Sequence, residues 1–185
     1  MLEVRELGLA GVFEIRPKRF GDDRGFFSET WSASAMQGAG IQIDFVQDNH
    51  SYSAARGVFR GLHFQAPPAA QAKLVRVSRG AIFDVVVDIR RSSPTYGRWT
   101  GLTLSAAEWN QILVPEGFAH GFLTLEEHCE VQYKVDALYS PEHDRAIHHA
   151  DPAIGIDWPI DAASFQTSAK DAAAPLLAQV QTGFA

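Results

Sequence analysis

Between Gly57 and Val77 the chain reads GVFRGLHFQAPPAAQAKLVRV. The apolar alternation suggests strand, turn, strand, yet Arg60, His63, Gln65 and Lys73 interrupt it. Cationic side chains do not sit in an apolar interior without partners. Positive charge beside an imidazole favours the neutral ring, the form that accepts a proton. These residue types therefore suit a general base flanked by electrostatic help. A lone histidine is more often a core residue with one satisfied hydrogen bond, and the two cations are what point to a site. A second stretch, VPEGFAHGF at 114–122, sets His120 behind a turn shaped by Pro115 and Gly117. Tyr133 and Tyr139 are six residues apart, which predicts one strand face for both. Packing with satisfied hydroxyls would explain them without chemistry. Asp84 reads as a neutralising partner for Lys73, and the adjacent His148 and His149 read as surface residues.

The elements that must position these groups are mostly strands. LVRVSRG, AIFDVVVDIR, RWTGLTLS, NQILVPEG, AHGFLTL and CEVQYKVDALY are short, rich in β-branched and aromatic residues, and bounded by Gly, Pro, Ser or Asn. In AIFDVVVDI, alternation puts Phe83, Val85, Val87 and Ile89 on one face and Ile82, Asp84, Val86 and Asp88 on the other. Helical pattern is scarce. SETWSASAMQGAG predicts a short helix opened by Ser28 or Thr30 and stopped at Gly38 or Gly40, and AAAPLLAQVQ predicts another near the end. The RGFF stretch after Asp23 reads as a hairpin. Many short strands with close turns predict an all-β antiparallel sandwich or barrel, of the kind that holds one ligand inside.

The chain has 185 residues, which predicts one domain, 1–185, around a single core. Its net charge of −6 argues against general attraction to nucleic acid or an anionic membrane. Cys129 is the only cysteine, so no internal disulfide can form, as suits a cytoplasmic protein. Glu3, Arg5 and Glu6 interrupt any signal-like apolar stretch, and no run approaches the roughly 20 apolar residues of a membrane helix.

Gly57, five residues and His63, followed later by Pro115-x-Gly117-x-x-His120, resemble the two half-motifs of the cupin superfamily. That implies a cupin-type jelly-roll barrel with short flanking helices. Metal-binding cupins carry His-x-His and then Glu in the first half. Here Gln65 holds the second position and no acidic residue occurs before Asp84, so one imidazole per half predicts a metal-free, cofactor-free barrel. A metal-dependent oxygenase of this fold is disfavoured on the same ground.

Over nearly its whole length the sequence resembles the dTDP-4-dehydrorhamnose 3,5-epimerases. The resemblance is carried by DDRGFFSE, VQDNHSYS, RGLHFQAPPAAQAKLVRV, GAIFDVVVDIRRSSPTYGRW, LVPEGFAHGFLTL, VQYKVDALYSPEHD, DPAIGIDWP and SAKD, in that order. It implies that His63 is the base, oriented by Asp171, that Tyr133 is the acid on the opposite face of the sugar, and that Lys73 lies near the C4 oxygen. It implies that Arg60 and His120 hold the substrate. Phe20, Arg24, Glu29, Gln47, Asp48, Asn49, Asp144 and Lys170 are implied in substrate binding, with Tyr139 stacked on thymine. It further implies a homodimer in which Glu29 and its neighbours reach into a partner's site. Two positions depart from the family: Asp144 stands where Glu is usual, and HHADP at 148–152 lacks the usual Trp before Asp-Pro.

The implied reaction suits these residue types. The protons at C3 and C5 of a 4-keto sugar are acidic because both carbons adjoin the carbonyl. Inversion needs a base on one side of the ring, an acid on the other and a cation for the enolate oxygen. A mono-epimerase or ketoisomerase would use the same groups. A non-catalytic sugar-nucleotide-binding cupin would dispense with the base or the acid, and His63, Tyr133 and Asp171 are all present.

Overall fold

The computed structural model describes residues 2–185. In chain order the strands are β1 (Glu3–Glu6), β2 (Phe13–Arg16), β3 (Phe20–Asp22), β4 (Gly25–Phe27), β5 (Gln47–Ser53), β6 (Phe59–Gln65), β7 (Lys73–Arg79), β8 (Ala81–Asp88), β9 (Trp99–Ser105), β10 (Gln111–Val114), β11 (Phe118–Thr124), β12 (Cys129–Val135) and β13 (Asp144–Ala146). Helix α1 (Ala33–Gly38) follows β4, and α2 (Ala169–Ala172) lies near the end. A six-stranded sheet runs β1-β2-β10-β7-β12-β5 and a five-stranded sheet runs β13-β6-β11-β8-β9, with β3 and β4 forming a separate hairpin. All strand pairings are antiparallel. The architecture is all-β and cupin-like, with two short helices. No helix among the described residues is long and apolar enough to cross a membrane.

The alternation read in β8 sorts its side chains between two cores. Ile82 and Val86 point between the sheets and pack with Val75, Val77, Ile112, Val131 and Leu104. Val85 and Val87 point the other way and, with Ile89, are covered by Ile154, Leu177 and Val180 from the C-terminal segment. Each such fully buried aliphatic contributes roughly 1.5–3 kcal/mol. The C-terminal segment thus roofs the outer face of the five-stranded sheet, and it carries α2 to the mouth of the barrel.

Strands β6 and β11 approach unusually closely. A Cβ on Gly61, whose φ is +140°, would lie 2.5 Å from the Gly121 Cα; one on Gly121 would lie 2.9 Å from the Arg60 carbonyl oxygen. Only glycine fits at either position. The pairing slips between His120 and Phe122, and His63 and His120 face each other as register partners.

Several expectations are corrected. The first helix is capped by Ser32, whose hydroxyl accepts from the Ala35 amide, rather than by Ser28 or Thr30. AAAPLLAQVQ is not an α-helix. Pro175 interrupts it, and a single 3₁₀ turn at Leu177–Gln179 remains. Strand β12 ends at Val135, so Tyr139 does not share its face with Tyr133. His149 is buried rather than superficial. Asp84 is bonded to His120, and it acts on Lys73 only through space.

Candidate active site

A cavity of about 500 Å³ opens between the sheets. Strand β6 supplies Arg60 and His63, and β11 supplies His120; both belong to the five-stranded sheet. Strands β7 and β12 of the facing sheet supply Lys73 and Tyr133. Asp171 and Lys170 enter from α2. Residues scattered from 60 to 171 in the chain thus line one space.

Two histidine–carboxylate pairs stand side by side. His63 Nε2 lies 2.6 Å from Asp171 Oδ1. Burial would raise the Asp171 carboxyl, but the His63 ring, Ser168 and the Gly61 backbone outweigh it and hold the group below the usual carboxylate range. An ionised carboxylate on Nε2 keeps a proton there and leaves Nδ1 as the basic lone pair. Ser168 fixes the carboxylate's position: its hydroxyl accepts from the Asp171 amide at 3.1 Å, capping α2. His120 Nε2 lies 3.0 and 2.8 Å from the two Asp84 oxygens. Asp84 is fully buried, and burial pushes its carboxyl upward against the pull of His120 and Lys73.

Lys73 reaches from the opposite sheet toward the His63 carbonyl oxygen, 3.5 Å away. Enclosure by protein lowers its pKa to about 8, against the pull of Asp144 and Asp84 and with the push of Lys170. Its ammonium has few partners to satisfy it and suits a developing oxyanion. The Tyr133 phenol is pushed above its ordinary value by burial, with Arg60 opposing, so it stays protonated at neutral pH and able to donate. Arg60 is held by the Ser53 hydroxyl at 3.3 Å and the Tyr52 carbonyl at 3.1 Å.

Around the mouth, the Tyr139 hydroxyl donates to Asp144 at 2.9 Å, and Lys170 pairs with the same carboxylate. The Tyr139 ring is left 61% exposed, free to receive a planar ligand. Asn49 is the register partner of Tyr133 on the edge strand β5, and Gln47 donates to its side-chain oxygen at 2.9 Å. Asp48 faces the other way and pairs with Lys134. The structure does not bring Phe20, Arg24 or Glu29 to the cavity. Phe20 and Arg24 lie on or beside the β3–β4 hairpin, where Arg24 pairs with Asp22, and Glu29 follows it. Gln65 is tied to backbone: its amide donates to the carbonyls of Ala69 and Leu138 and accepts from the Ser140 amide.

Sequence reasoning missed several lining residues. Gln166, Thr167 and Ser168 line the cavity, and the Ser-x-x-Asp spacing of SAKD was a readable capping signal for the last of them. Ser51 also lines it, with a buried hydroxyl that has no partner; no pattern in VQDNHSYS would have singled it out.

The chain is similar to known proteins over nearly its whole length. The profile described as dTDP-4-dehydrorhamnose 3,5-epimerase matches residues 6–179. A dTDP-4-dehydrorhamnose 3,5-epimerase of Salmonella typhimurium is 49% identical over 97% of this chain and 97% of its own. The crystal structure of such an epimerase from Bacillus anthracis, with TDP and PPi bound, superposes with a TM-score of 0.92 at 47% identity, covering 95% of this chain and 99% of that one. That of dTDP-6-deoxy-D-glucose-3,5-epimerase from Legionella pneumophila, in complex with dTDP-4-keto-L-rhamnose, gives 0.93 at 43% identity, covering 98% and 95%. With this cavity and these likenesses, the chain belongs to the dTDP-4-dehydrorhamnose 3,5-epimerase family of isomerases.

Proposed function

We propose that this chain inverts C3 and C5 of dTDP-4-keto-6-deoxy-D-glucose, giving dTDP-4-keto-L-rhamnose. The observation that carries the reading is that His63 and Tyr133 line one cavity from opposite sheets. His63 Nδ1 takes the proton from the carbon beside the carbonyl, and Asp171 stabilises the imidazolium that forms. Negative charge develops on the C4 oxygen, where the Lys73 ammonium meets it. Tyr133 returns a proton to the opposite face of the enolate, and the centre inverts. His63 then gives its proton to solvent and Tyr133 takes one from solvent, and the same cycle acts on the second carbon. Arg60 and His120 hold the substrate, while Gln47, Asp48, Asn49, Asp144, Lys170 and Tyr139 serve the nucleotide end.

Phe20, Arg24 and Glu29 complete a partner's site in a cytoplasmic homodimer, each chain acting as one catalytic domain. Support for this comes from the β3–β4 hairpin, whose Phe20, Phe26 and Phe27 are 53%, 51% and 66% exposed. The test of the reaction is incubation with dTDP-4-keto-6-deoxyglucose in deuterated water. Deuterium at both C3 and C5 of an inverted product is expected. Label at one carbon alone would make the chain a mono-epimerase, and no label would defeat the proton-transfer mechanism.

A further inference from the structure

The mechanism leaves one buried carboxylate without a task. Asp84 is fully buried on β8, and its two oxygens lie 3.0 and 2.8 Å from His120 Nε2. Among the described residues it hydrogen-bonds to nothing else. His120 is part of the cavity lining and Asp84 is not. A buried ion pair returns little stability over apolar side chains of the same shape, so stability alone does not account for this carboxylate. Its effect falls on the His120 ring. An ionised carboxylate can only accept, so Nε2 carries the proton it receives. Nδ1 has no protein partner among the described residues, on a ring that faces the cavity. Arg60, Lys73 and Lys170 line the same space and disfavour a further cation there. The ring is then neutral, and Nδ1 offers a lone pair to whatever enters. Its place is also fixed: His120 and His63 are register partners on the adjacent strands β11 and β6.

We propose that Asp84 is a positioning residue that makes His120 the hydrogen-bond acceptor for the C2 hydroxyl of the sugar, and that this pair selects sugars oxygenated at C2. The inference rests on the proposed substrate, a 4-keto-6-deoxy hexose linked through C1. Such a ring has hydroxyl donors only at C2 and C3, because C4 is the carbonyl, the C5 oxygen closes the ring and C6 is a methyl. The C3 hydroxyl swings away when C3 inverts. C2 keeps its configuration, so a rigid acceptor can hold its hydroxyl through both inversions. C2 also adjoins the reacting C3, as His120 adjoins His63 in the sheet.

The test compares kcat/KM for dTDP-4-keto-6-deoxy-D-glucose and its 2-deoxy counterpart. The proteins are the wild type, Asp84→Asn, and a double variant, Asp84→Leu with His120→Phe, that leaves no buried charge unpaired. The wild type should favour the parent sugar by about tenfold or more. In Asp84→Asn the amide presents both a donor and an acceptor to Nε2, so the tautomer is no longer fixed. Both variants should bring the ratio close to one, by slowing the parent sugar while leaving the 2-deoxy sugar little changed. A merely structural role would slow the two sugars in parallel. NMR of the wild type carrying isotope-labelled histidine reads the tautomer without relying on either variant to fold. The His120 proton should reside on Nε2, and the Nδ1 resonance should shift with dTDP-L-rhamnose, which carries the C2 hydroxyl, and not with dTDP. A wild-type ratio near one, parallel losses in the variants, or a proton on Nδ1 would overturn the proposal. Equal turnover of the two sugars defeats this inference alone. Absence of turnover of either sugar by the wild type defeats the proposed function itself, and this inference with it.

Discussion

His63 and Asp171 are 108 residues apart in the chain, yet their side chains meet at 2.6 Å. The proposed role of His63 as the base draws on this contact. His63→Asn is expected to abolish both product formation and solvent exchange at C3 and C5, since no proton then leaves the sugar. The loss should be on the order of 10²–10⁴ in rate. Asp171→Asn keeps the shape but removes the charge, and it should lower both activities in parallel. Mass spectrometry of the sugar recovered from deuterated water decides it, and exchange surviving in His63→Asn would move the base elsewhere, with His120 the first candidate.

Tyr133→Phe should separate the two halves of the chemistry. His63 can still remove a proton and return one to the same face. Exchange should persist while inverted product falls sharply. Inverted product formed at a near wild-type rate would end the role of Tyr133 as the acid.

Lys73 gives a pH dependence with two opposite signs. Its pKa is lowered from 10.5 to about 8. Activity should decline as pH rises through about 8, because the enolate loses its cation, and Lys73→Met should be slow at every pH and lack that alkaline limb. Stability should respond the other way. Between about 8 and 10.5 the unfolded chain binds a proton at this lysine that the folded chain does not, so the Lys73 contribution to stability increases with pH across that window. Chemical denaturation of wild type and Lys73→Met at a series of pH values reads the difference.

Removal of the exposed ring of Tyr139 should weaken the nucleotide end selectively. Tyr139→Ala is expected to lose about 1–3 kcal/mol of dTDP affinity, measured by calorimetry, by analogy with stacking on single-stranded bases. An unchanged affinity would remove thymine from that ring.

The phenylalanines of the β3–β4 hairpin predict association. Light scattering should return twice the 20.3 kDa chain mass, and Phe27→Asp should shift the chain toward monomer with reduced activity. A fully active wild-type monomer at working concentration would defeat the shared-site arrangement.

The sequence was most readable where alternation and burial coincide. In β8 the alternation gave both faces correctly, because each face packs in its own core. Strand β5 was not legible as a strand from pattern. QDNHSYS carries polar residues on both faces, one half-buried beside the cavity and the other in solvent. The RGLH, AHGF and Tyr133 groups could be named from type and resemblance, but their convergence depends on two facing sheets. Tyr139 escaped its assignment because strand β12 ends before it. His149 looked superficial because its neighbours in sequence are polar, whereas the groups that bury it, Phe59 and Phe165, come from distant segments. Phe20, Arg24 and Glu29, on and just after the β3–β4 hairpin, stand apart from the cavity between the sheets, so their implied role could not be read from one chain's geometry.

The orienting carboxylate arrives on the C-terminal segment, at residue 171 of 185. A chain cut between Tyr133 and Asp171 would contain the imidazole, the ammonium and the phenol, all on strands, but would have nothing to hold the imidazole's tautomer. The same missing stretch includes Leu177 and Val180, part of the roof over the five-stranded sheet. Closing the outer core and seating the carboxylate against His63 are therefore tasks of one stretch of chain, so that loosening the roof would also release the imidazole.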